Sequence, residues 1–282
     1  MNLMNLESLK TKAGMLRDLH SGPRMLVLPN AWDAASAKII ERCGFSALAT
    51  TSSGVAGSLG YPDGERVTRE LMLEVVARIA GVVGVPVTAD LEAGYGPLVE
   101  DVVRTVHGLL EAGAVGLNFE DSRPARAHAL EDLGTQVDKI KAIREAAVAA
   151  GVPVVLNARV DVLLYGQGNE AARVAETIHR ANAYRDAGAD CVFPIGVRSG
   201  ETVATLVREI KGPVNILFGP GLPSIVELER MGVRRVTFDS GLMRAANTHL
   251  RSMMQALRDQ PSGFAIPPDL ITNQDLSDLL AR

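Results

Sequence analysis

One unit recurs along the whole chain: a charged, amphipathic segment ends at a glycine, and a short apolar run follows. It is visible as ERCGFSALAT, GVVGVPVTAD, EAGAVGLNFE, AAGVPVVLNA, DAGADCVFPI, IKGPVNILF and ERMGVRRVTF, with glycines at Gly44, Gly84, Gly113, Gly151, Gly188, Gly212 and Gly232; SGPRMLVLPN adds Gly22. Glycine just past a helix accepts the left-handed conformation at little cost, so these positions predict helix ends. The apolar runs cover residues 25–28, 47–49, 85–88, 115–119, 154–156, 191–193, 214–217 and 236–238. They are nearly continuous rather than alternating, as in parallel strands buried on both faces. Between them, Val99, Val102, Val103, Val106, Leu109 and Leu110 mark one helix face, Val137, Ile140 and Ile143 another, and Val203, Leu206, Val207 and Ile210 a third.

Eight strands alternating with helices in a chain of 282 residues predict an α/β fold of the (β/α)8 TIM-barrel type. A doubly wound sheet would place a glycine-rich phosphate turn after its first strand. Here Pro29-Asn30-Ala31-Trp32-Asp33 stands there instead. No linker divides the chain, so one domain is expected, with the barrel over about residues 23–258 and a proline-punctuated C-terminal helical extension over 259–282.

Hydrophobic residues make up 47% of the chain and aromatics only 4%, so aliphatic side chains must fill the core. A net charge of -4 gives no footprint for nucleic acid. No stretch has the roughly 20 apolar residues of a membrane span. The opening MNLMNLESLKTKAGMLRDLH lacks a signal peptide's apolar core. Cys43 and Cys191 sit in no CxxC and form no disulfide framework. A soluble cytoplasmic protein is expected.

Chemistry in this fold sits at the C-terminal strand ends. The third strand runs into Asp90-Leu91-Glu92-Ala93-Gly94-Tyr95-Gly96, the fourth into Glu120-Asp121, and the fifth into Arg159-Val160-Asp161. Asp90 and Glu92 are two apart and share a face of extended chain, and Glu120 comes from the neighbouring strand. Oxygen ligands without His or Cys suit Mg2+ or Mn2+ rather than zinc. A lone acid at such a place usually caps the following helix; three of them beside Arg159 favour a metal. The loop after the second strand, residues 50–64, is rich in Ser and Gly. Its backbone N–H groups at Ser53 and Gly54 could approach a carboxylate or phosphate, although an ordinary flexible loop has the same composition. Tyr95 could hydrogen-bond substrate or simply pack. Trp32 reads as a rim packing residue, and His128 as a solvated loop histidine.

In order along the chain, LPNAWD, SSGVAGSLGYPD, ADLEAGYG, NFED and NARVD resemble the isocitrate lyase/phosphoenolpyruvate mutase superfamily over about residues 28–250. The resemblance implies Mg2+ held by Asp90, Glu92 and Glu120, largely through water. It also implies Asp63 approaching the metal or reacting group, and Ser53 and Gly54 binding the substrate carboxylate. Arg159 would stabilise negative charge on a 2-oxo acid, and Asn215, ending the seventh strand, would contact substrate. The implied reaction is C–C cleavage of a small 2-oxo or hydroxy di- or tricarboxylate through an enolate. Phosphoenolpyruvate mutase or phosphonopyruvate hydrolase chemistry uses the same site, and a non-catalytic 2-oxo acid binding protein is a third reading. Family members form homodimers or homotetramers by exchanging their last helix. Two departures narrow the reaction. The loop Glu120-Asp121-Ser122-Arg123-Pro124-Ala125-Arg126-Ala127-His128 lacks the cysteine of the isocitrate and methylisocitrate lyases, and Pro194 is followed by Ile195 where those enzymes place glutamate. That loop also lacks the lysine- and asparagine-containing stretch of the mutases.

Overall fold

The structure is a computed structural model describing residues 3–123, 127–263, 265–267 and 270–281. All eight expected strands form: β1 (Leu26–Leu28, resumed after Pro29 as Asn30–Ala31), β2 (Leu48–Thr50), β3 (Val87–Asp90), β4 (Gly116–Glu120), β5 (Val155–Val160), β6 (Cys191–Pro194), β7 (Asn215–Leu217) and β8 (Arg235–Thr237). Every neighbouring pair in this set is parallel. Proline has no N–H to donate, which divides the first strand: its first half pairs with β8 and its second with β2. A parallel bridge between Val192 and Val214 joins β6 to β7 and closes the cylinder. The fold is a TIM barrel.

The helices are α1 (Leu3–Ser21), α2 (Ala34–Arg42), α3 (Ser52–Ser58), α4 (Arg69–Val82), α5 (Val99–Glu111), α6 (Leu133–Ala149), α7 (Val162–Tyr165), α8 (Glu170–Asp186), α9 (Gly200–Glu209), α10 (Ile225–Arg230), α11 (Gly241–Asp259) and α12 (Asn273–Leu280). Six of the expected helix-ending glycines have positive φ, but Gly22 and Gly84 do not. At Gly84 the N–H is instead held by Glu41 Oε1 at 2.5 Å.

Helix α1 plugs the N-terminal mouth of the barrel, burying Leu9, Ala13 and Leu16. Strand β4 has glycine beneath this plug for want of space. A Cβ on Gly116 would lie 2.8 Å from both Leu16 Cδ2 and Thr88 Oγ1. At the other end of the chain, α11 has no buried residue, and Leu250, Met254 and Leu257 on it are 54%, 46% and 40% exposed. Helix α12 packs against α2 of its own chain. No helix among the described residues is long and apolar enough to cross a membrane.

His20, at the end of the plug, is 3% exposed and donates from Nδ1 to the Leu16 carbonyl at 2.7 Å. Burial, followed by repulsion from Arg235, pushes its pKa down to about 4. Between that value and about 6.5 the unfolded chain holds more protons than the folded one. Stability is therefore full above pH 6.5 and declines as pH falls towards 4, by up to about 3 kcal/mol from this group. His20→Gln should remove that part of the slope in urea titrations at pH 4.5 and 7. An unchanged pH slope in the variant would show that His20 is not responsible.

Candidate active site

Backbone strain gathers at one end of the barrel. All six described non-glycine residues with positive φ, namely Glu65, Glu92, Tyr95, Ala127, His128 and Asp239, lie on loops following β2, β3, β4 and β8 at their C-terminal ends. Such conformations cost of order 1–3 kcal/mol each and persist where surrounding contacts over-determine them.

The predicted carboxylates are buried there, each held differently. Asp90 ends β3, accepts from the Ser52 N–H at 3.0 Å, and has its own N–H held by Thr50 Oγ1 at 2.9 Å. Glu92 accepts from the Glu65 N–H at 2.6 Å and from the Tyr95 hydroxyl at 3.4 Å. Glu65 Oε1 in turn accepts from the Tyr95 N–H at 2.8 Å, so the loops after β2 and β3 clasp one another. Glu120 stands opposite Arg159 in the β4–β5 register, and its Oε2 lies 2.7 Å from Arg159 Nη1. Arg159 also forks onto Asp161, with Nε–Oδ1 at 2.6 Å and Nη2–Oδ2 at 3.2 Å. Asp161 is fully buried, and its N–H is held by Asp121 Oδ1 at 2.8 Å. Asp121 itself accepts from the Tyr184 hydroxyl at 2.7 Å.

Desolvation raises the pKa of Asp90 and, strongly, that of Glu120. For Glu92, desolvation and then the charges of Asp63 and Asp90 push it up to about 8. Burial alone would lower the pKa of Arg159, but Glu120 and Asp161 hold it well above its ordinary value. These are oxygen donors whose ionised forms lack sufficient compensation, which suits a hard divalent cation. The expected direct convergence is not formed, however. Among the described residues no three His, Cys, Asp or Glu side chains are disposed to hold a metal ion. Arg159 draws Glu120 aside and the Glu65 amide draws Glu92. The donors fit a hydrated cation, with water between carboxylate and metal.

The other predicted residues divide. Asp63 lies exposed at the mouth near Ser52, Asp239 and Arg159, and desolvation by the surrounding loops raises its pKa. The loop expected at Ser53 and Gly54 is instead the first turn of α3, capped by Thr51. The Gly54 N–H goes to Thr51 Oγ1 at 3.3 Å, so capping competes with any ligand for it. A Cβ on Gly54 would come within 2.5 Å of Thr51 Cγ2 and 3.1 Å of Trp32 Cβ, so packing also requires this glycine. Tyr95 is tied to Glu92 rather than free. Asn215 begins β7 rather than ending it. It is fully buried and bonded to Thr237, with Nδ2–Oγ1 at 3.2 Å, near the start of the 214–217 apolar run rather than at its end. Cys43 is exposed beside α2, and Cys191 is buried, its thiol pushed up to about 12 by desolvation. His128 stacks on Tyr165 with ring centroids 4.5 Å apart. Pro124, Ala125 and Arg126 lie outside the described residues.

A narrow polar cavity, with room for about one water molecule, is lined by Asn30, Asp90, Asn118, Arg159, Phe193, Ile195, Thr237 and Asp239. Asp239 was not foreseen from the sequence. It follows β8 by two residues in a left-handed conformation, and the Thr51 hydroxyl donates to its Oδ1 at 3.0 Å. Its place just past the eighth apolar run is the signal that could have identified it.

The family model described as phosphoenolpyruvate phosphomutase matches residues 16–258. A putative lyase/mutase from Burkholderia cenocepacia superposes with a TM-score of 0.89 at 34% identity, over 96% of each chain. The 2,3-dimethylmalate lyase of Eubacterium barkeri is 29% identical over 95% of this chain and 93% of its own. Oxaloacetate acetylhydrolase, solved with its product oxalate, superposes with a TM-score of 0.85 at 28% identity, over 96% of this chain and 94% of its own.

Removing one member of a buried ion pair leaves the other uncompensated, at a cost of about 3–5 kcal/mol. Asp161→Ala should lower the unfolding free energy by about that amount, read from the urea midpoint at unchanged slope. A loss below about 1 kcal/mol would mean that Asp161 does not anchor Arg159.

Proposed function

The chain belongs to the isocitrate lyase/phosphoenolpyruvate mutase superfamily, and on that footing we propose that it is a Mg2+-dependent lyase cleaving a C–C bond of a small 2-oxo or hydroxy di- or tricarboxylate. The observation that carries this reading is Arg159, clamped by Glu120 and Asp161 beside buried Asp90 in the narrow cavity. Asp90, Glu92 and Glu120 would hold the cation. Bound there, Mg2+ (or Mn2+) would supply Lewis-acid polarisation of the substrate's carboxylate and 2-oxygen.

The protein's own groups take the remaining roles. The substrate carboxylate meets the amides at the start of α3, around Ser53. Asp63 accepts the proton of the hydroxyl beyond the scissile bond. As that oxygen becomes a carbonyl, the C–C electron pair passes to the other fragment as its enolate. Arg159 places a fixed positive charge where that oxyanion develops. Phe193 and Ile195 keep water away from it.

The description of the matching family model favours a second reading, in which the same carboxylates and Arg159 serve C–P chemistry as a phosphoenolpyruvate mutase or phosphonopyruvate hydrolase. A 2-oxo acid binding protein without turnover is the third. The exposed apolar residues of α11 support a homodimer or homotetramer, although the last helix, α12, packs against α2 of its own chain.

Arg159→Gln and Asp90→Asn should each lower kcat by about 10²–10³ while leaving the fold intact by circular dichroism, and EDTA should abolish turnover until Mg2+ is restored. Full turnover without a divalent metal would sink the metal reading. Phosphorus NMR on phosphonopyruvate separates the readings: a lyase leaves the signal unchanged. Mg2+-dependent binding with no product from any 2-oxo or hydroxy acid would leave the third reading standing.

A further inference from the structure

The largest side chain buried completely among the described residues is a charged one, Arg235 on β8. Its Nη2 donates to Asn118 Oδ1 on β4 at 3.1 Å. Strands β4 and β8 stand on opposite sides of the eight-stranded barrel, so this side chain crosses the lumen beneath the narrow cavity. Desolvation pushes its pKa down to about 10, which leaves the guanidinium charged at neutral pH. Its hydrogen bond goes to a neutral amide, and its Nε and Nη1 have no partner among the described residues. A buried charge held in this way costs stability, and an apolar side chain of similar volume would pack as well or better. The arginine contributes direction instead. A guanidinium has donors and no acceptor, so the atom of Asn118 that faces it must be the oxygen. Asn157 Nδ2, from neighbouring β5, donates to the same oxygen at 2.7 Å. Between the two asparagines alone that bond could run either way, because Asn157 Oδ1 is buried without a partner and could accept from Asn118 Nδ2. Arg235 decides the direction. With both lone pairs of Oδ1 taken from below, Asn118 Nδ2 is left for the cavity, which Asn118 lines together with Arg159 and with Asp90, its partner in the β3–β4 register.

We infer that Asn118 donates to the same substrate oxygen as Arg159, and that Arg235 is the positioning residue that holds the amide in that orientation. The inference rests on the 2-oxo acid reading above and adds to it a neutral donor fixed from inside the barrel. The cavity has room for about one water molecule, so the amide and the Arg159 guanidinium converge on one small group. A hydrogen bond from such a fixed amide strengthens as the oxygen takes up charge, and the amide need not reorient when it does.

Calorimetric titration with oxalate in the presence of Mg2+ tests this, oxalate standing for the developing oxyanion. Asn118→Ala should weaken oxalate binding by about tenfold, as expected for one hydrogen bond to a charged group. Arg235→Met should do the same while its urea midpoint stays unchanged or rises, and the double variant should lose no more than either single variant. Arg235→Lys, which keeps a group that only donates, should stay within about threefold of wild type. In proton–nitrogen correlation spectra with Mg2+, the Asn118 side-chain amide signal should move downfield on oxalate binding in the wild type and stay in place in Arg235→Met. Wild-type affinity in Asn118→Ala overturns the donor. Losses that multiply to about a hundredfold in the double variant overturn the positioning role. Equal losses in the Lys and Met variants, or unfolding of Arg235→Met, overturn it too, by making the arginine a structural residue. Failure of oxalate to bind the wild-type protein would overturn the metal reading and this inference with it.

Discussion

Five buried carboxylates, Asp90, Glu92, Glu120, Asp121 and Asp161, crowd the C-terminal ends of β3, β4 and β5, and the guanidinium of Arg159 stands among them. Arg159 meets Glu120 because the two are directly paired across parallel strands, and it meets Asp161 because the chain brings that residue round two positions later. A buried pair of this kind gives little net stability, since desolvation offsets the attraction. Its consequence is positional: the guanidinium has one available place, and so does the Glu120 carboxylate. The site's other features follow from this arrangement. Asp161 must be anchored from below, which Asp121 and Tyr184 accomplish. Asp90, whose N–H is held by Thr50 at the end of β2 and whose carboxylate is held by Ser52 at the start of α3, is left facing the cavity.

The barrel was legible because its signals are local and repeated. A run of buried aliphatic residues and a helix-ending glycine each reflect their own neighbourhood, and eight repetitions outvote an error such as Gly84. The positions of Asp90, Glu92, Glu120 and Arg159 were legible for the same reason, since each lies within two residues of a strand end. The direction of each carboxylate was not. Glu92 is turned by the amide of Glu65, 27 residues earlier in the chain. Glu120 is turned by a partner 39 positions away, and no local pattern encodes either choice. Asn215 was placed at the strand end by the resemblance, although the apolar run 214–217 already put it near the start. The serine- and glycine-rich stretch after β2 was read as a loop, yet Thr51 caps it into a helix and Gly54 packs against Thr51 and Trp32.

The rim divides its chemistry by side. The ends of β3, β4 and β5 carry the carboxylates and Arg159, the groups that any enolate-forming reaction on a 2-oxo acid would use. The ends of β6, β7 and β8 contribute Phe193, Ile195, Phe218 and Phe238, with charge confined to Asp239, Arg198 and Arg244. An isoleucine at position 195 and the absence of a cysteine in the loop after β4 remove two polar groups from the region where a leaving fragment would sit. Asp239 brings one back from the opposite edge, in a backbone conformation that carries strain for a residue with a side chain. That asymmetry is why the site constrains the class of intermediate more tightly than the identity of the molecule: the charged side carries groups suited to an oxyanion that many substrates would share, whereas the apolar side carries few groups that would tell one substrate from another.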